Sequence, residues 1–223
     1  SKIYPILDPG DPDLTPEKLE SKNLKPQKAF NVTKPFIPKN PKTTFERGIL
    51  RANTRICFVG DTGNASLRQR KIAALMDKNC DQIRHLGDIL YYTGAKNIND
   101  PIFTQRFLNV YSPLKIPMYL TLGNHDYYQN PDIWLEVSQK YPNKYIFPNN
   151  YYLDMFSLPG NRGLCFISLD STPFNDLSIK EGINTPRIKA QLTWLNSLTT
   201  LIKNRCTFTM SFMHHPLILT SEG

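Results

Sequence analysis

The chain has 223 residues, enough for one well-packed domain or one domain with an appendage, and its 40% hydrophobic and 21% charged content is that of an ordinary globular protein. A formal net charge of +8 steers anions toward it, yet the basic residues are scattered and no aromatic platform accompanies them, which argues against a nucleic-acid partner. No apolar run approaches the roughly 18 residues needed to cross a bilayer, so no membrane partner is expected.

The N-terminus, from Ser1 to Leu14, has neither a basic start nor an apolar core and does not read as a signal peptide. From residue 1 to about 50, Pro5, Pro9, Pro12, Pro16, Pro26, Pro35, Pro38 and Pro41 interrupt any helix or ladder. This stretch reads as an extended Pro/Lys-rich arm, docked in part through Ile3, Tyr4, Phe30, Phe36 and Ile37. Residues 51–223 read as the folded domain.

From Arg55 strands and helices alternate, which sets an α/β class. Arg55 to Val59 is a short strand ending in Gly60-Asp61. Asn64 is expected to cap a helix to about Lys78, with Leu67, Ile72, Leu75 and Met76 facing inward. Gln82 to Leu86 is a strand ending in Gly87-Asp88. A helix over about 101–110 leads to the strand Pro117 to Thr121, which ends in Gly123-Asn124-His125-Asp126. Asn130-Pro131 opens another helix, with proline at its first position. Tyr145 to Phe147, Tyr151 to Phe156 and Gly163 to Leu169 read as a more antiparallel section, followed by a polar loop over 171–186. Ile188, Leu192, Leu195, Leu198 and Leu201 predict one amphipathic helix from Arg187 to about Lys203. Cys206 to Met213 is a strand running into His214-His215-Pro216.

Cys57, Cys80, Cys165 and Cys206 have no C-x-x-C spacing, which excludes a zinc ribbon or a thioredoxin motif. Three of them sit in or beside apolar runs and are expected to be buried free thiols, leaving the compartment open. The sequons at Asn31 and Asn64 read as accidental matches.

Four strands end in polar clusters: Asp61, Asp88, Asn124 and His214. In α/β sheets ligands gather outside the carboxyl ends of strands, so four such ends can bring four side chains together. Hard cations prefer oxygen donors and imidazole suits iron or zinc. Two cations about 3.5–4 Å apart need a ligand that spans both, as a carboxylate can. Taken singly, a Gly-Asp turn after a strand is usually a turn or a helix cap. The ordered series carries the inference.

Phe58 to Gly63 (FVGDTG), Leu86 to Tyr91 (LGDILY), Leu122 to Asp126 (LGNHD) and Met213 to Pro216 (MHHP) resemble, in order, the first four motifs of the calcineurin-like metallophosphoesterases. Many members carry Asp-x-His in the first motif; here it is Asp61-Thr62-Gly63. Tyr91, three residues after Asp88, instead matches the purple acid phosphatase branch. Asp88 to Gly94, Gln191 to Leu195 and the tail from Pro216 resemble its tartrate-resistant subgroup.

The resemblance implies a four-layer αββα sandwich of two mixed sheets. It implies a dinuclear metal centre, Fe(III) with Fe(II), Zn(II) or Mn(II). By position, Asp61 and Tyr91 would bind the ferric ion, Asp88 would bridge, and Asn124 and His214 would bind the divalent ion. His125 would contact the phosphate and assist the leaving group, with Asp126 orienting it. His215 reads as a substrate-contacting residue at the rim, and His85 as a satisfied core histidine. The implied activity is phosphomonoester hydrolysis on a phosphorylated small molecule or phosphoprotein; a phosphodiesterase, a protein phosphatase or a degenerate interaction module are the alternatives. A secreted or lysosome-like compartment follows from the resemblance alone. The loop over 171–186 is either a plain connection or the counterpart of a regulatory loop.

The family's fifth motif, Gly-His-x-His, does not occur in the 223 residues, whose histidines are His85, His125, His214 and His215. The domain is therefore expected to be incomplete at its C-terminus, with truncation, a second polypeptide or degeneracy as explanations. The chain by itself is expected to bind metal weakly and to have little activity.

Overall fold

Among the residues that the computed structural model describes, 42–174 and 185–216, eight strands form two four-stranded sheets. The first contains β1 (Thr44–Ile49), β6 (Tyr152–Leu158), β7 (Arg162–Ser168) and β8 (Phe208–Phe212) in that order. It is mixed: β1 runs parallel to β6, β6 antiparallel to β7, and β7 parallel to β8. The second contains β2 (Ile56–Val59), β3 (Gln82–Leu86), β4 (Met118–Thr121) and β5 (Tyr145–Ile146), all parallel. Tyr145 thus extends the parallel sheet instead of joining the antiparallel section. β1 lies within the stretch read as an arm. The arm's apolar anchors, the sequon at Asn31, most of the polar loop and the tail after Pro216 fall outside the described residues.

The period-2 alternation of β6 and β7 decides the layering. Leu153, Met155, Cys165 and Ile167 face one way and are buried with Leu198, Trp194, Leu195, Leu201 and Ile202 of a helical pair. Tyr152, Phe156 and Phe166 face the other way and join the core shared with the second sheet. That core continues to the helices on the far side, through Ala73, Met76, Phe103, Phe107 and Trp134. The order is helices, sheet, sheet, helices: the four layers expected.

An ion network lies between the sheets. Arg84 of β3, 2% exposed, donates to Asp154 Oδ2 of β6 at 2.7 Å, and Arg47 Nε of β1 donates to Oδ1 at 2.5 Å. The Arg84 guanidinium stacks 3.8 Å from the Tyr119 ring and 4.5 Å from that of Phe166. A carboxylate answered by two guanidinium groups can be buried where a lone charge could not.

Helix α1 (Leu67–Asn79) starts two residues later than expected. Ser66 is its N-cap and accepts from the Gln69 amide at 3.2 Å, while Asn64 accepts from the Ser66 amide at 3.0 Å. Its buried face is Gln69, Ala73 and Met76, and Leu67 and Leu75 are 66% and 60% exposed. Gln69 tolerates burial because both ends of its side chain are satisfied, by the Ala65 amide and the Tyr111 hydroxyl. The next helical stretch is α2 (Pro101–Phe103), a π turn (Thr104–Leu108) and α3 (Asn109–Tyr111). Helix α4 (Ile133–Lys140) has Asp132 as its N-cap, so Pro131 precedes the helix instead of opening it, and Asn130 accepts from the Asp132 amide. The long amphipathic helix is two, α5 (Thr185–Ser197) and α6 (Thr199–Arg205). At the break the Ser197 and Thr199 hydroxyls donate to the Trp194 and Asn196 carbonyls, competing with the helix for its own acceptors.

The cysteines are not free. Cys57 of β2 is bonded to Cys80 at the end of α1, and Cys165 of β7 to Cys206 just before β8. Their Cα separations of 5.9 and 5.7 Å are ordinary for disulfides. With partners 23 and 41 positions apart in the chain, the pairing is a property of the fold and not of local spacing.

Candidate metal centre

Strands β2, β3 and β4 are parallel neighbours, so their carboxyl ends open on one edge. β8 joins them from the other sheet, where Phe212 packs against Phe58 with ring centroids 5.4 Å apart. Asp61, Asp88, Asn124 and His214 therefore lie on one side of the sandwich.

The two aspartates adopt left-handed backbone, with φ of 54° at Asp61 and 51° at Asp88. Such conformations cost non-glycine residues about 1–3 kcal/mol and persist where the surroundings over-determine them. The loops lace together to do so. Asp61 and Thr62 donate to the Gly87 and Asp88 carbonyls, and Tyr91 donates to that of Gly63. A Cβ at Gly63 would lie 2.2 Å from the Ile89 carbonyl oxygen, so no side chain fits where many relatives of this motif place histidine. Gly123 is equally confined: a Cβ there would meet Asp88 Oδ1 at 2.2 Å.

Asp61, Asp88 and His214 each offer a ligand atom, and these atoms lie within 4.8 Å of one another. The Tyr91 hydroxyl, from the loop after β3, donates to Asp61 Oδ1 at 2.7 Å. Asp88 is central, with Oδ1 3.4 Å from His214 Nε2 and Oδ2 3.8 Å from His125 Nε2. His214 Nδ1 donates to the Leu86 carbonyl at 3.0 Å, which turns Nε2 inward in the arrangement typical of metal-bound imidazoles.

The electrostatics are those of a site that attracts positive charge. Burial alone would lower the His214 pKa, but the hydrogen bond and charge of Asp88 raise it to about 8. Burial works to raise that of Asp88, and His214 with His125 overcomes it, holding the carboxyl below its usual range. Burial, then the hydrogen bond to Asp61, push the Tyr91 phenol well above its ordinary value.

Asn124 stands at the start of a 3-10 turn, His125–Tyr127. The His125 amide donates to Asp88 Oδ1 at 3.0 Å. The His125 ring is held by Nδ1 donating to the Tyr92 carbonyl at 2.6 Å and by edge contacts with Tyr91 and Tyr128. Asp126 does not orient it. Its carboxylate turns away and accepts from the backbone amides of Ile89, Leu90 and Gly123, because those loop amides have no strand partner and the ring is already served by Tyr92. Burial, then repulsion from Asp88, raise its pKa to about 7.

His215 lies beside His214, its amide donating to Ser171 Oγ at 3.0 Å and its Nδ1 2.9 Å from the same oxygen. Burial, then the neighbouring His214, lower its pKa. His85 is half satisfied: Nε2 meets Thr62 Oγ1 at 2.8 Å, while buried Nδ1 has no hydrogen-bond partner among the described residues. Arg106 of the π turn donates to the Tyr91 carbonyl, a contact across 15 residues with no sequence signal.

The calcineurin-like phosphoesterase pattern matches residues 54–222, and the chain belongs to that family. Among curated proteins it is similar to human tartrate-resistant acid phosphatase type 5, at 30% identity over 153 residues, 64% of this chain and 46% of that protein. The rat protein of the same name is 29% identical over the same length. Purple acid phosphatase 4 of Arabidopsis thaliana is 32% identical over 127 residues, 53% of this chain and 36% of that one. The chain spans about half the length, or less, of the curated relatives it matches.

Proposed function

We propose that this chain carries the metal-binding loops of a phosphomonoester hydrolase of the purple acid phosphatase type. The observation that carries the reading is the Asp88 carboxylate, with Oδ1 by the His214 ring, Oδ2 by the His125 ring and Asp61 close by. A dinuclear centre fits this donor set. Asp61 and Tyr91 would hold Fe(III), Asn124 and His214 would hold Fe(II), Zn(II) or Mn(II), and Asp88 would span both. The carboxylates and phenol suit the harder ion, and the imidazole the softer.

When bound, the centre would neutralise phosphate charge and lower the pKa of water enough to supply a nucleophile at mildly acidic pH. The chain's own residues do the rest. With Nδ1–H committed to the Tyr92 carbonyl, His125 keeps Nε2 for the substrate, where it holds or delivers the proton that the departing alkoxide needs. Ser171 holds His215 at the rim as a phosphate contact. The net charge of +8 draws the anionic substrate, a phosphorylated small molecule or phosphoprotein. Two disulfides support maturation in an oxidising, secreted or lysosome-like compartment.

Iron loading tests the ligand set. Tyr91→Phe keeps the ring and removes only the donor oxygen, so the visible phenolate-to-iron band of the parent should vanish; an unchanged band overturns the assignment. Initial rates by the natural protein then rank the substrate classes, read as phosphate released from an aryl monoester and a phosphopeptide and as alcohol released from a diester, with the monoester expected to be fastest.

A further inference from the structure

Asp126 is 1% exposed, and its hydrogen bonds run to main chain. Oδ1 accepts from the Ile89 amide at 3.1 Å and the Leu90 amide at 3.3 Å, and Oδ2 from the Gly123 amide at 3.0 Å. The first two amides belong to the turn between Asp88 and Tyr91, the third to the turn that leads into Asn124. One side chain thus ties the loop after β3 to the loop after β4. The tie is reciprocal, since Asp88 Oδ1 accepts from the His125 amide in the opposite loop. Ile89 and Leu90 are fully buried, so the turn carrying Asp88 and Tyr91 is anchored by apolar packing below and by the Asp126 carboxylate.

We propose that Asp126 is a positioning residue for the metal centre. It sets the separation of Asp88, Tyr91 and Asn124 through three backbone amides, touching neither cation nor substrate. A carboxylate is suited to this because it offers only acceptors to a place where three donors converge. Asparagine has nearly the same shape but turns an N–H₂ group toward an N–H, which forces one loop away from the other. The proposal rests on the ligand set proposed above, and its test separates the two.

The natural protein is titrated with Co(II) alone, followed by visible absorption, for the parent, Asp88→Asn, Asp126→Asn and Met76→Ala. Met76 belongs to the same buried core as Ile89 and Leu90 and controls for lost stability. Asp126→Asn should weaken Co(II) binding tenfold or more and alter its spectrum, whereas Met76→Ala should lower the melting temperature with affinity and spectrum unchanged. If Asp88→Asn binds Co(II) as the parent does, the ligand set fails. If Asp88→Asn loses binding and Asp126→Asn keeps it, the ligand set stands and the role of Asp126 is overturned. Should Asp126→Asn not fold, hydrogen exchange of the parent decides. Protection of the Ile89, Leu90 and Gly123 amides with and without Co(II) supports the proposal; protection that arises only with Co(II) means that the cation orders the loops, and overturns it.

Discussion

His85 is a histidine that the fold keeps neutral. Burial, the dominant influence, lowers its pKa to about 3 from an ordinary 6.5. The unfolded chain therefore binds a proton at His85 below pH 6.5 that the folded chain refuses, so the contribution of His85 to stability is full above that pH and falls as the pH drops toward 3. The slope reaches about 1.4 kcal/mol per pH unit, or about 2 kcal/mol by pH 5. Asp126, whose raised pKa favours the folded chain over the same range, works the other way, so the effect of His85 is read as the difference between the parent and His85→Gln in urea unfolding of the metal-free chain at pH 7 and pH 5. The approach of Asp61, Asp88, Tyr91, His125 and His214 to one another was legible because each follows a strand end within a few residues. The contacts of His85 with Thr62 and of Asp126 with Ile89 and Leu90 were not, because they join residues 23 to 37 apart in the chain.

At the scale of elements, most strand ends were legible in the sequence, and sheet membership and helix faces were not. Tyr145 joins the parallel sheet, and Thr44–Ile49 is a strand inside the stretch read as an arm. Leu67 and Leu75 look like core residues by spacing, yet Gln69, with partners supplied by Ala65 and Tyr111, takes the inner face of α1. A spacing rule cannot foresee that a distant hydroxyl will satisfy a buried amide. The Cys57–Cys80 bond ties β2 to the end of that helix and closes a loop of 23 residues, for which chain entropy gives about 3 kcal/mol. Replacing both cysteines by serine should lower stability by about that amount in chemical denaturation, and a change well under 1 kcal/mol would show that the β2–α1 junction is held by packing alone.

Over the whole molecule, two sheets from different parts of the chain meet around one buried carboxylate. Asp154 answers Arg84 and Arg47, drawing β6, β3 and β1 together. Removing it strands the Arg84 guanidinium in an apolar interior, where an unpaired charge costs about 3–5 kcal/mol. Asp154→Ala should therefore remove a large share of a stability that for domains of this size is about 5–15 kcal/mol, seen as a much lower urea midpoint. Arg84→Met, which leaves Asp154 with Arg47, should be milder.

The two disulfides fall on a telling pair of places. Among the described residues β2 and β8 are edge strands, each with a single ladder neighbour, and they deliver Asp61 and His214 to the centre. One bond fastens β2 to the helix behind it, and the other fastens the start of β8 to β7. The site thus depends on the history of the chain as well as on its sequence. Protein made in a reducing cytosol would carry the same residues on two loosely held edges, and a failed metal titration on such a preparation would report on the host in which the chain was folded.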